Sequence, residues 1–488
     1  MHIDWEAELK EDRAPFFTAL LVGFAAHGYA FANKLVNHDE IESLFGKGAT
    51  LTSGRWGLEL VKLLFPDCSM PWIYGILSLL LMAVSVCLIL RIVPVRTRPL
   101  RLLLAALIVS FPSLTGNFCF LFTAAPYAWS FFLTVLAVWL YLGGKRLLAP
   151  AALVLALGIY QAYIAVAASL LVLVMIARLL DGEGSVWDVL RFGLRALAML
   201  LFSAALYYGV TLLSLRLTGT EFNAYVTENV NGSVGPLRRL RIAYDAFFYV
   251  FSFRNFSLIS SEGARYVHLV LAALTLPALA LEALRTKEPL RIAMLACLAL
   301  LLPLAVCCMF LIMAPASIHT LVLYSFIAVY LLAALALERL PHVWGVRLGA
   351  LCLALIVVSN VYFANKVYLK LHLQYENAYA FYTVLVSRVQ QTPGFDAESR
   401  LALVGEQEEL LYRFDELDTE LFQGVDRDLV NIYSRENFLR YYLGLELPFV
   451  SEEELEALAE DARVQAMPVY PYDGSVQKLG DTIVVRLG

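Results

Sequence analysis

The sequence predicts an α-helical polytopic membrane protein with a small α/β domain at its C-terminal end. Three observations carry that expectation. Of 488 residues, 60% are apolar and only 16% charged, with a mean hydropathy of +0.70, whereas soluble domains run nearer half apolar and a quarter charged. Apolar runs close to the roughly 20 residues that cross about 30 Å of hydrocarbon recur as far as residue 366. Beyond residue 366 the pattern changes to short periodic segments separated by turn chemistry.

The apolar runs define about eleven spans, at about 14–36, 72–93, 101–113, 124–142, 147–159, 160–180, 196–215, 265–284, 292–313, 320–338 and 348–366. The run 147–180 is too long for one crossing, and Gly158, Tyr160, Gln161 and Tyr163 interrupt it, so it reads as two short helices. The start of the chain is charged and mixed, which reads as a short amphipathic leader rather than a cleaved signal. With the N-terminus cytoplasmic, every short inner loop is basic: Arg91, Arg96, Arg98 and Arg101, then Lys145 and Arg146, Arg191 and Arg195, Arg285, Lys287 and Arg291, and Arg339 and Arg347. Three long segments then face outward, at 37–71, at 216–264 and from 367 to the end.

In the tail, 371–391 reads as a helix stopped by the turn chemistry of Thr392, Pro393 and Gly394. Leu401–Gly405 and Ile483–Leu487 read as strands. Residues 452–463 read as a helix that Ser451 caps. The domain division is therefore 1–366, transmembrane, and 367–488, a small α/β domain.

The net charge of −5 leaves no footprint for nucleic acid, and none is expected as a partner. No Walker loop, HExxH, CxxC or dinucleotide fingerprint occurs. The seven cysteines lack metal-like spacing and read as small buried hydrophobes, with Cys68 and Cys119 the one pair weighed for a disulfide.

Polar residues gather in the first long loop. Asp39 and Glu40 follow the first span directly, beside His38, Lys47, Arg55 and Trp56. Solvated charges at a helix end would explain the two acids alone, but a connecting loop does not need the whole set. A carboxylate there suits a general base acting on a sugar hydroxyl, with one of the adjacent pair as the base and the other structural. The loop 216–264 carries Arg216, Arg238, Arg239, Arg241 and Arg254, with Arg265 at its far edge, among many aromatics. Such arginines suit a lipid phosphate, or plain headgroup anchoring of an interfacial helix. His27 inside the first span reads as a packed or hydrogen-bonded histidine. Tyr160, Gln161 and His319 are polar points that line a sugar cleft or satisfy broken helix ends.

NHDEIESLFGKGATLTSGRWGLELV (37–61), GIYQAYIAVAASLLVL (158–173) and MPVYPYDGSVQKLGDTIVVRLG (467–488) resemble the bacterial O-antigen-modifying glucosyltransferase family, type II. The resemblance implies a GT-C-like membrane glycosyltransferase in the bacterial cytoplasmic membrane. It implies a polyprenyl-phosphate-linked sugar as donor, glucose by carry-over, and a cell-surface glycan as acceptor on the outer face. It places the base at Asp39, or Glu40 beside it, and Arg55 on the donor phosphate. Arg238, Arg239 and Arg241 join Arg55 by charge and position. His38, Lys47, Trp56, Tyr160, Gln161 and His319 are the candidates for sugar or acceptor contact. No cofactor is required, because a lipid phosphate leaves as a stable anion; a divalent metal is compatible but not demanded. The C-terminal domain is expected outside the cytoplasm, helping to bind or orient the acceptor. The rival readings are a lipid-linked glycan transporter or flippase, and a polysaccharide polymerase or ligase.

Overall fold

The computed structural model describes residues 5–46, 48–62, 64–229, 235–251, 262–313, 320–405, 411–412, 414–417, 419, 425 and 429–487. The chain forms two compact units. One comprises described residues of Met1–Lys34 and Phe45–Lys366; the other comprises those of Leu35–Leu44, Val367–Thr419 and Gly424–Gly488. The first-loop sequence is thereby divided, its residues 37–44 folding with the C-terminal unit.

The first unit is helical. Ten helices among the described residues are long and apolar enough to cross a membrane, as in a multi-pass membrane protein. The segment expected as an eleventh span is a 12-residue helix, Leu148–Ile159, shorter than a crossing needs. The run 147–180 does split as its glycine and tyrosines indicate: Leu148–Ile159 ends at Tyr160, a 3-10 turn spans Gln161–Tyr163, and Ile164–Leu180 follows. The Tyr141 hydroxyl donates to the Phe192 carbonyl at 3.4 Å, and Arg178 lies 4.2 Å above the Phe192 ring. Residues 141, 178 and 192 therefore share one end of the bundle, so the chain runs out along Leu148–Ile159 and back along Ile164–Leu180. The same logic groups the basic loops: Arg91 and Arg101 pair with Asp12, and both Arg96 and Arg339 with Asp181.

The run at 101–113 is short because it is half of a broken span. Arg98–Ser110 stops at Phe111, and Pro112–Cys119 continues the path. A residue before proline avoids the helical region, and proline brings no N–H to the carbonyl four residues back. That carbonyl, on Ile108, accepts instead from the Tyr324 hydroxyl at 2.7 Å, and the neighbouring Val109 carbonyl bonds His27 Nε2 at 2.8 Å. His27 is thus the buried, hydrogen-bonded histidine that its apolar setting demands. Cys68 and Cys119 are both free thiols, and Cys119 is buried.

The second unit holds a three-stranded sheet: β1 (Arg400–Val404), β2 (Val476–Leu479) and β3 (Thr482–Arg486), in the order β1-β3-β2. β3 is central, parallel to β1 and antiparallel to β2. Gly480, at φ +69°, makes the tight β2–β3 turn, a conformation that costs glycine nothing. Ala402, Val404 and Val484 pack with Val464 and Met467 into a core that Leu455 and Leu458 help cover. Those two leucines belong to Glu452–Glu460, opened by a reciprocal capping box between Ser451 and Glu454.

Two expectations about the tail need correction. Residues 371–391 are not a separate helix but the end of one 49-residue helix, Val343–Gln391. Nothing between Phe363 and Leu371 breaks it, since no proline or glycine lies there. The helix expected over 452–463 ends at Glu460, and Ala462–Gln465 starts afresh on its own cap, Asp461.

Glu454 also forks onto Arg400 of β1, Nη1 reaching Oε1 at 2.9 Å and Nη2 reaching Oε2. The Arg400 bond, with the Ser451 backbone N–H, pulls Glu454 from its ordinary 4.5 down to about 2. A depressed carboxyl adds stability above its unfolded value and loses it as pH falls through its folded value. Amide exchange in β1 should therefore be faster in Glu454→Gln than in wild type at neutral pH. The gap should close between about pH 4.5 and pH 2, and salt should narrow it because the pair is exposed. A gap that persists at pH 2 would refute this account.

Candidate functional site

In the first unit, the segment Thr50–Gly57 is clamped to the helix break at Tyr160. Gln161 Nε2 donates to the Ser53 carbonyl at 3.0 Å and to the Tyr207 hydroxyl at 2.9 Å, and Tyr207 donates to the Gly54 carbonyl at 3.0 Å. Asn223 adds a bond from Nδ2 to Ser53 Oγ at 2.9 Å and one from its backbone N–H to the Thr52 carbonyl at 3.0 Å. Gly54 is in the left-handed region at φ +70°, and a Cβ on it would stand 2.7 Å from the Tyr207 hydroxyl. Two glycines then let the backbones touch: a Cβ on Gly57 would lie 2.7 Å from the Gly158 carbonyl carbon, and one on Gly158 would lie 2.6 Å from the Trp56 ring. The sequence segments TSGRWG and GIYQAY are therefore one packed structure, which their separation in the chain conceals.

Arg55 emerges from this clamp, half-buried, with its guanidinium carbon 5.9 Å from the centre of the Tyr160 ring. Tyr160 in turn stacks on Tyr127 at 4.2 Å. Trp56, weighed for sugar contact, is 9% exposed, and its ring is occupied by Gly158. Tyr160 is likewise buried, and Gln161 spends its amide N–H groups on the clamp. Close by, Thr50 donates to Glu59 at 2.6 Å, and Lys62 pairs with Glu59 at 2.9 Å. Burial raises the Glu59 carboxyl, but the bonds from Thr50 and Lys62 outweigh it and leave the group below its ordinary value.

Arg238, Arg239 and Arg241 lie on the helix Pro236–Phe251, which packs against Pro289–Val306 and the short turn Cys308–Leu311. Ala243, Ala246 and Val250 form its buried stripe. The three arginines are not equivalent. Arg239 donates to the Leu311 carbonyl at 2.9 Å, whereas Arg238 is exposed and Arg241 is exposed beside Asp245 at 3.4 Å. Lys47, Arg254 and His319 lie outside the described residues.

In the second unit, Asn37 caps the five-residue helix His38–Glu42 by accepting from the Glu40 N–H at 2.8 Å. The two acids have opposite environments. Glu40 is 0% exposed, while the Asp39 side chain is 44% exposed. Asp39 Oδ1 accepts from the Tyr433 hydroxyl at 3.0 Å and lies 3.8 Å from His38 Nε2. Asn437 Nδ2 donates to Glu42 at 2.6 Å. Burial, with the Glu40 charge next in weight, pushes the Tyr442 phenol up. His38 is buried, edge-on to the Tyr433 ring at 5.7 Å.

The family described as glucosyl transferase GtrII matches residues 28–332. The chain belongs to that family. Membership in GtrII supports glucosyl transfer as its reaction and makes it a membrane glycosyltransferase, with a sugar donor and an acceptor. No curated protein and no solved structure matches the chain significantly. The matched region contains the Gln161 clamp, Arg55, Asp39 and the helix Pro236–Phe251, but none of the C-terminal sheet. Tyr207, Asn223, Tyr433 and Asn437 escaped the sequence reading. Tyr207 had one legible signal, a tyrosine pair inside an apolar span; Tyr433 and Asn437 had none.

Gly158→Val should cost about 1–3 kcal/mol, since an over-packed core must shift and the atom met is a rigid ring. Thermal unfolding of the detergent-solubilised protein would measure it. Trp56→Ala in the same chain should recover part of the loss, and a Gly158→Val protein as stable as wild type would rule the clamp out.

Proposed function

We propose that this glycosyltransferase moves one sugar, glucose, from a polyprenyl-phosphate carrier to a glycan hydroxyl on the outer face of the cytoplasmic membrane. The observation that carries the reading is the accessible Asp39 carboxylate, beside a buried Glu40, in a chain of the GtrII family. Of two adjacent acids, only one is open to an incoming hydroxyl. The acceptor oxygen attacks the anomeric carbon, its proton passes to Asp39, and the bond from that carbon to the phosphate oxygen breaks with its electron pair. The phosphate carries the departing charge, and no nucleotide is consumed.

Arg55 is assigned to the donor phosphate, its guanidinium held over Tyr160. Arg238 and Arg241 are the exposed basic groups of their helix and suit the same anionic headgroup chemistry; Arg239 is engaged with a backbone carbonyl. The basic loops that gather at one end of the first unit support placing that end in the cytoplasm. The family match favours transfer over the carrier reading.

Purified protein in nanodiscs, given polyprenyl-phospho-glucose and a membrane glycan extract, should transfer glucose. Asp39→Asn should lower the rate about 10²–10⁴-fold, the usual worth of a general base. Glu40→Gln should act on stability first. Near-normal transfer by Asp39→Asn would remove Asp39 from the mechanism. Arg55→Ala should lower turnover by about 10²-fold, the scale of one lost oxyanion contact. An Arg55→Ala protein with unchanged kcat and donor KM would free the phosphate assignment for Arg238 and Arg241.

A further inference from the structure

We infer that Tyr433, in the C-terminal unit, is the positioning residue of the base: its hydroxyl holds Asp39 in one rotamer, with Oδ2 left to take the acceptor proton. The inference rests on the assignment of Asp39 as base and adds a role for a region outside the family match.

The helix that carries Asp39 cannot orient the side chain by itself. Five residues are far too few for a self-supporting helix, since nucleation alone is costly. The terminal torsion of aspartate is soft and broad, so backbone placement does not decide where its oxygens point. Both neighbours of the carboxylate address the same oxygen, the Tyr433 hydroxyl at 3.0 Å and His38 Nε2 at 3.8 Å from Oδ1.

Tyr433 is well placed to impose that choice. It lies in a turn fixed by reciprocal bonds, Asn431 N–H to Ser434 Oγ at 3.0 Å and Ser434 N–H to Asn431 Oδ1 at 3.2 Å. The turn leads into the helix Arg435–Leu443, which packs on His38–Glu42 and adds the Asn437 bond to Glu42. That helix is backed by an aromatic wall. Phe438 is fully buried, stacks on Tyr442 at 5.2 Å, and meets Tyr382 at 5.5 Å. The tyrosine bond is thus anchored to the unit's interior at one end and presents a solvent-facing hydroxyl at the other.

A purely structural bond would behave differently. Tyr433 is 49% exposed, and a hydrogen bond in that setting adds little to stability. Tyr433→Phe in the full-length protein should therefore leave thermal unfolding and donor KM unchanged. Its kcat should fall about 10- to 100-fold, the effect of a misplaced reacting group. In an Asp39→Asn background the same change should produce no further loss, because Tyr433 acts only through Asp39. Wild-type kcat in Tyr433→Phe, or losses that multiply in the double variant, would overturn the inference while leaving Asp39 as base. Wild-type transfer by Asp39→Asn would fail the base assignment itself, and the inference with it. A Tyr433→Phe protein that melts early would also overturn it, by showing that the bond carries the fold.

Discussion

Every backbone group at membrane depth must find its partner inside the protein, and the first unit is organised by that constraint. Among the described residues its helices break at Phe111–Pro112 and at Tyr160, and side chains make hydrogen bonds at both. At Phe111–Pro112 the carbonyls of Ile108 and Val109 are met by Tyr324 and His27. At Tyr160 the Ala156 carbonyl keeps its helical bond from the Tyr160 N–H, and the next residue, Gln161, turns its amide to Ser53 and Tyr207. The second break thereby captures an irregular segment from a distant part of the chain. That segment carries Arg55.

Close approach makes the capture possible. The Trp56–Val61 helix can lie against Leu148–Ile159 only because Gly57 and Gly158 have no side chains where the backbones meet. The left-handed Gly54 then turns its carbonyl to Tyr207. The indole of Trp56, a candidate for sugar or acceptor contact, packs against Gly158 and is buried. Its neighbour Arg55 is half-buried, with its guanidinium carbon 5.9 Å from the centre of the Tyr160 ring.

One continuous sequence motif serves two units. Residues 37–61 read as one motif within a single loop, 37–71, yet Leu35–Leu44 folds with the C-terminal unit and Phe45 onward with the helical one. Leu35, Val36 and Ile41 are buried, so the segment around Asp39 is tied down by apolar side chains, with Asn437 bonding Glu42 and the Tyr433 hydroxyl bonding the Asp39 side chain. The two acids part for the same reason. Helical geometry sends adjacent side chains in different directions, and when one face of His38–Glu42 is covered, Glu40 is buried and Asp39 is not.

Ten of the eleven expected spans, the break near Tyr160, the N-cap at Ser451, strands β1 and β3, and the family were legible because each is written in local composition, period or motif. Strand β2 was not, since Val476–Leu479 is half-exposed with lysine and glutamine and acquires its strand character from β3. The length of Val343–Gln391 was not, because a change from apolar to polar residues looks like a boundary even where nothing breaks the helix. The sequence by itself determined that this chain spans a membrane, that one of its helix breaks lies at the glycine–tyrosine run, and that charged residues crowd its first loop. Only the tertiary structure decided which acid is open, which arginine is spent on a carbonyl, and that Tyr433 holds Asp39. Those outcomes depend on contacts between residues 72 positions apart for Arg239 and Leu311 and 394 apart for Asp39 and Tyr433, and side-chain hydrogen bonds at such separations leave no period or spacing to read.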